Sequence, residues 1–207
     1  MNRYIWAPLA ALVIACSAHA QSAAETGTPD AVVKNAIETT MSAIHADPGS
    51  RAGDLDKIAA IVQQKFVPEA DFRRTARLAA GSAWDQATPA QQDELFKQFQ
   101  VLMVRTYAAE LNQIRDQSVQ FKFLPSPPPP ASATDAVVKT QVVNAGDVMN
   151  IEYRVTKTAG GWKVYDINMM GAWLIQVYRQ QFSDQIAKGG IDGLIKFLAA
   201  HNEPVSH

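Results

Sequence analysis

The sequence predicts an α+β domain, a curved four-stranded antiparallel sheet packed on one face against several helices. Three observations predict it. Apolar residues recur every three or four positions as far as Ile114, alternate with polar ones between Val119 and Met170, and return to helical spacing after Gly171. Helices, then a run of strands, then helices again is the order of an α+β domain, whereas strictly alternating strands and helices would indicate a parallel sheet.

The first twenty residues, MNRYIWAPLAALVIACSAHA, carry Arg3, an apolar run from Ile5 to Ala15 and a small-x-small site at Ala18-His19-Ala20. That layout predicts a cleavable signal peptide at 1–20 and an exported product. The apolar run is too short to span a bilayer as a helix. Cys16 leaves an alternative open, because Val13-Ile14-Ala15-Cys16 loosely resembles a lipoprotein cleavage box. Cleavage after Ala20 removes the single cysteine, and with it any disulfide or thiol chemistry. Residues 21–28 read as a disordered leader, 29–202 as one domain, and 203–207 as a frayed tail.

Each element has its own signal. Pro29-Asp30 opens a helix with Val33, Ile37, Met41 and Ile44 on one face, and Pro48-Gly49 breaks it. A second helix follows Asp54, with Leu55, Ile58, Val62 and Phe66. A third covers 72–80 and stops at Gly81. The longest begins at Thr88-Pro89-Ala90-Gln91, where Thr88 and Gln91 form a capping box. Its stripe of Phe96, Phe99, Met103, Tyr107, Leu111 and Ile114 predicts about 26 residues, a rod of roughly 39 Å. Val119, Phe121 and Phe123 then alternate as a strand, and the run from Pro125 to Pro130 predicts a stiff extended loop. Strands at 136–143 and 148–156 flank a turn at 144–147, and a fourth strand runs over 162–170. Gly171 ends it. Helices then follow to about Ala187 and over 192–200.

Composition and spacing exclude more chemistry than they suggest. Nineteen Lys and Arg against 20 Asp and Glu leave a net charge of −1, so no nucleic-acid partner is expected. His45, His201 and His207 lack metal-ligand spacing, and neither a G-x-S-x-G elbow nor a dinucleotide fingerprint is present. Asp54/Asp56 and Asp93/Glu94 are accounted for by helix first turns. Asp166, in the middle of the fourth strand, is the one candidate general base. The favoured reading is a structural carboxylate, since no second titratable group is placed to complete a mechanism. Two function classes follow: a small cone-shaped enzyme using Asp166, or a carrier whose apolar interior is the site. A carrier needs adaptable side chains, and Met103, Met149, Met169 and Met170 all fall on the sheet or the long helix.

Phe72-Arg73-Arg74-Thr75-Ala76-Arg77-Leu78-Ala79-Ala80-Gly81, followed by Trp84 and Ala87-Thr88-Pro89-Ala90-Gln91-Gln92, resembles the signature of the MlaC, or toluene-tolerance auxiliary, family. Thr106-Tyr107-Ala108, Gly161-Trp162-Lys163-Val164-Tyr165-Asp166, Gly171 and Gly190-Ile191-Asp192-Gly193-Leu194 continue the pattern in the family's order. The proline run and the Met169-Met170 pair depart from it.

The resemblance implies a monomeric periplasmic carrier with no cofactor, no metal and no catalytic residues. Its ligand is a phospholipid, and its partners are an outer-membrane lipoprotein–porin complex and an inner-membrane ABC transporter. The implied role is to maintain outer-membrane lipid asymmetry. A related branch associated with hopanoid-type lipids stays open. Wetting an acyl chain costs about 0.8 kcal/mol per CH₂, so two chains demand on the order of 20 kcal/mol of shielding and hence an enclosed cavity. The lining is expected to comprise Met103, Tyr107, Leu111, Val142, Met149, Ile151, Tyr153, Ile167, Met169, Trp173 and Leu174. On the fourth strand both Trp162/Val164 and Tyr165/Ile167/Met169 are apolar sets, and alternation alone does not say which faces inward. Arg73, Arg74 and Arg77 form either a solvated helix face or a docking surface for an acidic partner. Gly81, Gly171 and Gly189-Gly190 are candidate hinges as well as helix ends.

Overall fold

The computed structural model describes residues 27–114, 119–144 and 146–203. The expected signal peptide, Cys16, residues 21–26 of the leader and residues 204–207 of the tail lie outside the described residues.

Acceptors placed at helix starts set the helical order. Thr28 Oγ1 accepts from the Ala31 N–H (3.2 Å) and opens α1, Pro29–Ala46. Pro48 does more than end that helix. With Asp47 Oδ1 accepting from Ser50 N–H (2.7 Å), it starts a one-turn helix, α2, Pro48–Arg51. Asp54 accepts from Asp56 and Lys57 to start α3, Leu55–Lys65, and Asp71 accepts from Arg74 to start α4, Phe72–Ala80. Gly81, at φ 61°, turns the chain into α5, Ser82–Gln86. The capping box then forms as expected: Gln91 N–H donates to Thr88 Oγ1 (3.3 Å) and Thr88 N–H to Gln91 Oε1 (2.9 Å). It opens α6, Pro89–Ile114, of 26 residues.

The sheet has five strands where four were expected. They are β1, Gln120–Phe123; β2, Asp135–Asn144; β3, Asp147–Thr158; β4, Gly161–Met169; and β5, Ala172–Trp173, paired antiparallel in chain order. The fifth arises because Met170 (φ 52°) and Gly171 (φ 86°) form a two-residue hairpin loop between the paired Met169 and Ala172. Two positive φ values suit a type I′ turn, whose twist matches the flanking strands. A two-residue strand has no periodicity to read, and Met-Gly is not the Asn-Gly dipeptide that announces such turns. The proline run lies within the β1–β2 connection without disturbing the sheet. Its polar ends are held by Leu124 N–H to Lys139 O (3.0 Å) and Lys157 N–H to Thr134 O (2.8 Å).

The last helix, α7, Leu174–Asn202, leaves helical dihedrals at Gly189 and Gly190, so the two expected helices are joined at a kink. Two separate hydrophobic cores result. One packs α1 and α3 on the sheet through Val33, Ile44, Ile58, Val138, Val155 and Trp162. The other joins α4, α5, α6 and α7 through Ala76, Trp84, Leu95, Phe99, Phe182, Leu194 and Leu198. The rod-like α6 enters both, giving Leu95, Phe99 and Met103 to the second and Val104 and Ala108 to the first.

Candidate functional site

The two cores do not merge. Between them lies a cavity of about 730 Å³, walled by the inner face of the sheet, by α1 and α3, and by α6 and the first turns of α7. Sheet register decides which residues reach it. Val142 faces Met149, Ile151 faces Met169, and Tyr153 faces Ile167, so all six side chains stand on one face. Arg154 faces Asp166 while Val155 faces Val164, which leaves Tyr165 without a partner in a β-bulge. The extra residue changes the parity of β4. Val164, before the bulge, and Ile167 and Met169, after it, therefore turn the same way, and the ambiguity over the two apolar sets is resolved.

Ten of the eleven residues expected at the lining are there: Met103, Tyr107 and Leu111 from α6; Val142 from β2; Met149, Ile151 and Tyr153 from β3; Ile167 and Met169 from β4; and Leu174 from α7. Trp173 is elsewhere. It pairs with Asn168, which faces Glu152, and so stands on the opposite face of the sheet with the Arg154 guanidinium 3.7 Å over its ring. Reading the segment as helix, without the β5 reversal, put it on the wrong side.

The lining also takes Ile37 and Met41 from α1, Val62 from α3, Phe72 from α4 and Tyr178 from α7. These lie on apolar stripes that the sequence does show, but a stripe looks the same whether it meets protein or open space. The methionines carried a clearer signal: all five among the described residues, Met41, Met103, Met149, Met169 and Met170, line the cavity. Thr106, Glu110, Asp147, Val148, Met170, Val177 and Gln181 are exposed and also border it, marking the mouth. Met170 is 85% exposed and held at positive φ, a backbone region that costs a bulky side chain about 1 kcal/mol or more.

Polar groups inside are few and mostly satisfied. Burial raises the Tyr107, Tyr153 and Tyr178 phenols, Tyr153 to about 12, so all three are neutral donors at physiological pH. Asp166 is 2% exposed, and desolvation is the largest influence, pushing its carboxyl up. Opposing that, Oδ1 accepts from the Ile167 and Ile175 N–H groups (3.0 Å each) and Oδ2 from Arg154 (3.0 Å). Ile175 is the second residue of α7, so Asp166 caps that helix from a strand. Its oxygens are committed to structure.

The arginine cluster is largely engaged too. Arg73 pairs with Asp93 (2.6 Å). Arg74 pairs with Asp135 (2.8 Å), donates to Thr156 and stacks over Tyr165 at 4.0 Å. Among the described residues no cluster of His, Cys, Asp or Glu is arranged to hold a metal ion, and no helix is long and apolar enough to cross a membrane.

A sequence model described as the MlaC protein matches residues 34–200. Among curated proteins, the intermembrane phospholipid transport system binding protein MlaC of Haemophilus influenzae is 22% identical over 205 residues, covering 97% of this chain and 94% of its own. Among solved structures, a phospholipid-binding protein from Ralstonia solanacearum, in complex with a phospholipid, is 44% identical. It covers 84% of this chain and 97% of its own, with a TM-score of 0.75. The chain belongs to the MlaC family.

Proposed function

We propose that the protein is a periplasmic carrier that encloses the acyl chains of a phospholipid and moves the lipid between membranes. The observation that carries this reading is the cavity itself: about 730 Å³ with apolar walls, left unfilled between two otherwise well-packed cores. A methylene takes up about as much room as a water molecule's share of the liquid, roughly 30 Å³, so the space suits some two dozen methylenes. At about 0.8 kcal/mol each, their transfer from water is worth on the order of 20 kcal/mol, most of what a diacyl lipid needs. The phospholipid held by the Ralstonia relative supports the same ligand class. In this reading chains occupy the interior, the headgroup stays at the mouth by Glu110, Asp147 and Gln181, and loading and unloading occur at an outer-membrane lipoprotein–porin complex and an inner-membrane ABC transporter. The N-terminal signal peptide supplies export.

The test is mass spectrometry of an organic extract of the purified protein. A diacyl phospholipid in stoichiometric amount is the expected result. A hopanoid would redirect the ligand class, and absence of any lipid, together with failure to load one from vesicles, would overturn the carrier reading.

A further inference from the structure

Three phenols reach the cavity, and they are not equivalent. Thr106 stands beside the Tyr178 hydroxyl and Thr140 beside that of Tyr153, so each of these phenols has a protein hydroxyl as its polar neighbour. The Tyr107 hydroxyl has no hydrogen-bond partner among the described residues. It is not one of the polar atoms sealed off by protein either, so it opens onto the cavity. Asp166 lies near enough to influence it, but no hydrogen bond joins the two; the carboxylate accepts from Ile167, Ile175 and Arg154 instead. A phenol left against hydrocarbon forfeits its hydration, so an apolar ligand alone would fit this position poorly.

Depth along α6 says what could take that donor. Thr106 and Glu110, adjacent to Tyr107 and one turn on, are exposed at the mouth, while Met103, one turn back, is buried. Tyr107 thus sits where the mouth gives way to the interior. In a glycerophospholipid the groups between headgroup and chains are the ester carbonyls, strong acceptors with no donor of their own.

We propose that the Tyr107 hydroxyl donates to an ester carbonyl of the bound lipid, fixing its depth and selecting ester-linked over ether-linked glycerolipids. The proposal rests on the phospholipid-carrier reading and goes further by naming the acceptor. One neutral hydrogen bond predicts about fivefold discrimination.

The experiment is competitive loading of delipidated full-length protein from vesicles containing equal amounts of diester and diether phosphatidylethanolamine of the same chain length, read by native mass spectrometry. The wild type is expected to take the diester about fivefold over the diether, and Tyr107→Phe, which keeps the ring, to load both equally. A wild type without preference would overturn the proposal whatever the variant does, and would mean that water serves the phenol. A preference that survives Tyr107→Phe would overturn it as well. Failure of the wild type to load either lipid is a different result and removes the carrier reading itself.

Discussion

Placing a carboxylate on the cavity wall separates a lining residue from a plain core residue. Ile151 is 7% exposed, lies on the central strand β3 opposite Met169, and lines the cavity. In the empty protein the side chain of Ile151→Glu has open space before it, which water can fill, so folding is largely preserved. Acyl chains expel that water. The glutamate then enters the loaded state by taking up a proton, which at pH 7 and an ordinary pKa of about 4.3 costs about 4 kcal/mol, several hundredfold in affinity. Burying the neutral acid adds the ~1–3 kcal/mol of an unpaired polar group, a cost shared by Ile151→Gln. The sign of the pH dependence follows. The loaded state raises the glutamate's pKa, so affinity recovers as pH falls toward the free value, and at pH 5 the protonation cost is only about 1 kcal/mol. Lipid retention at pH 7 and pH 5, read by native mass spectrometry beside thermal melts, measures both effects. Full retention by the glutamate variant at pH 7 would refute the placement of Ile151 on the wall, and a variant that does not fold would assign Ile151 to the core.

Burial raises the Asp166 carboxyl above its unfolded value, so its contribution to stability is complete below 3.8 and lost as pH rises through its higher folded value. Thermal melts across this acid range are expected to show that dependence in the wild type and to lack it in Asp166→Asn, which is also expected to retain lipid. Met170→Asn, which suits the positive φ of the β4–β5 turn, should relieve about 1 kcal/mol of strain and raise Tm by roughly 2–4 °C in a scanning melt. Phe99 packs edge-on against Tyr178 (4.8 Å) and Phe182 (5.0 Å), so Phe99→Ala should cost about 3–5 kcal/mol by urea unfolding.

Much of this was legible in the sequence because the signals were local. The Thr88–Gln91 capping box and the stripe from Phe96 to Ile114 specify α6 residue by residue, and the alternation of Met149, Ile151, Tyr153 and Val155 specifies the inner face of β3. The rest depended on partners distant in the chain. The bulge at Tyr165 exists only in the pairing of β4 with β3, and the outward turn of Trp173 only in the pairing of β5 with β4. Ile37, Met41 and Tyr178 show apolar periodicity that is identical for a filled interior and for the wall of a void. Methionine escaped that degeneracy, since a ligand of variable shape favours side chains that can rearrange.

Among the described residues the long helix α6 is the one element that gives buried side chains to both cores, so it acts as a beam along the side of the cavity away from the Asp166–Ile175 and Arg74–Asp135 links. If acyl chains occupy the cavity, as proposed, they pack against both cores at once. In the carrier reading an emptied cavity loses the contacts of its contents while those links remain, so the empty protein is expected to melt below the filled one.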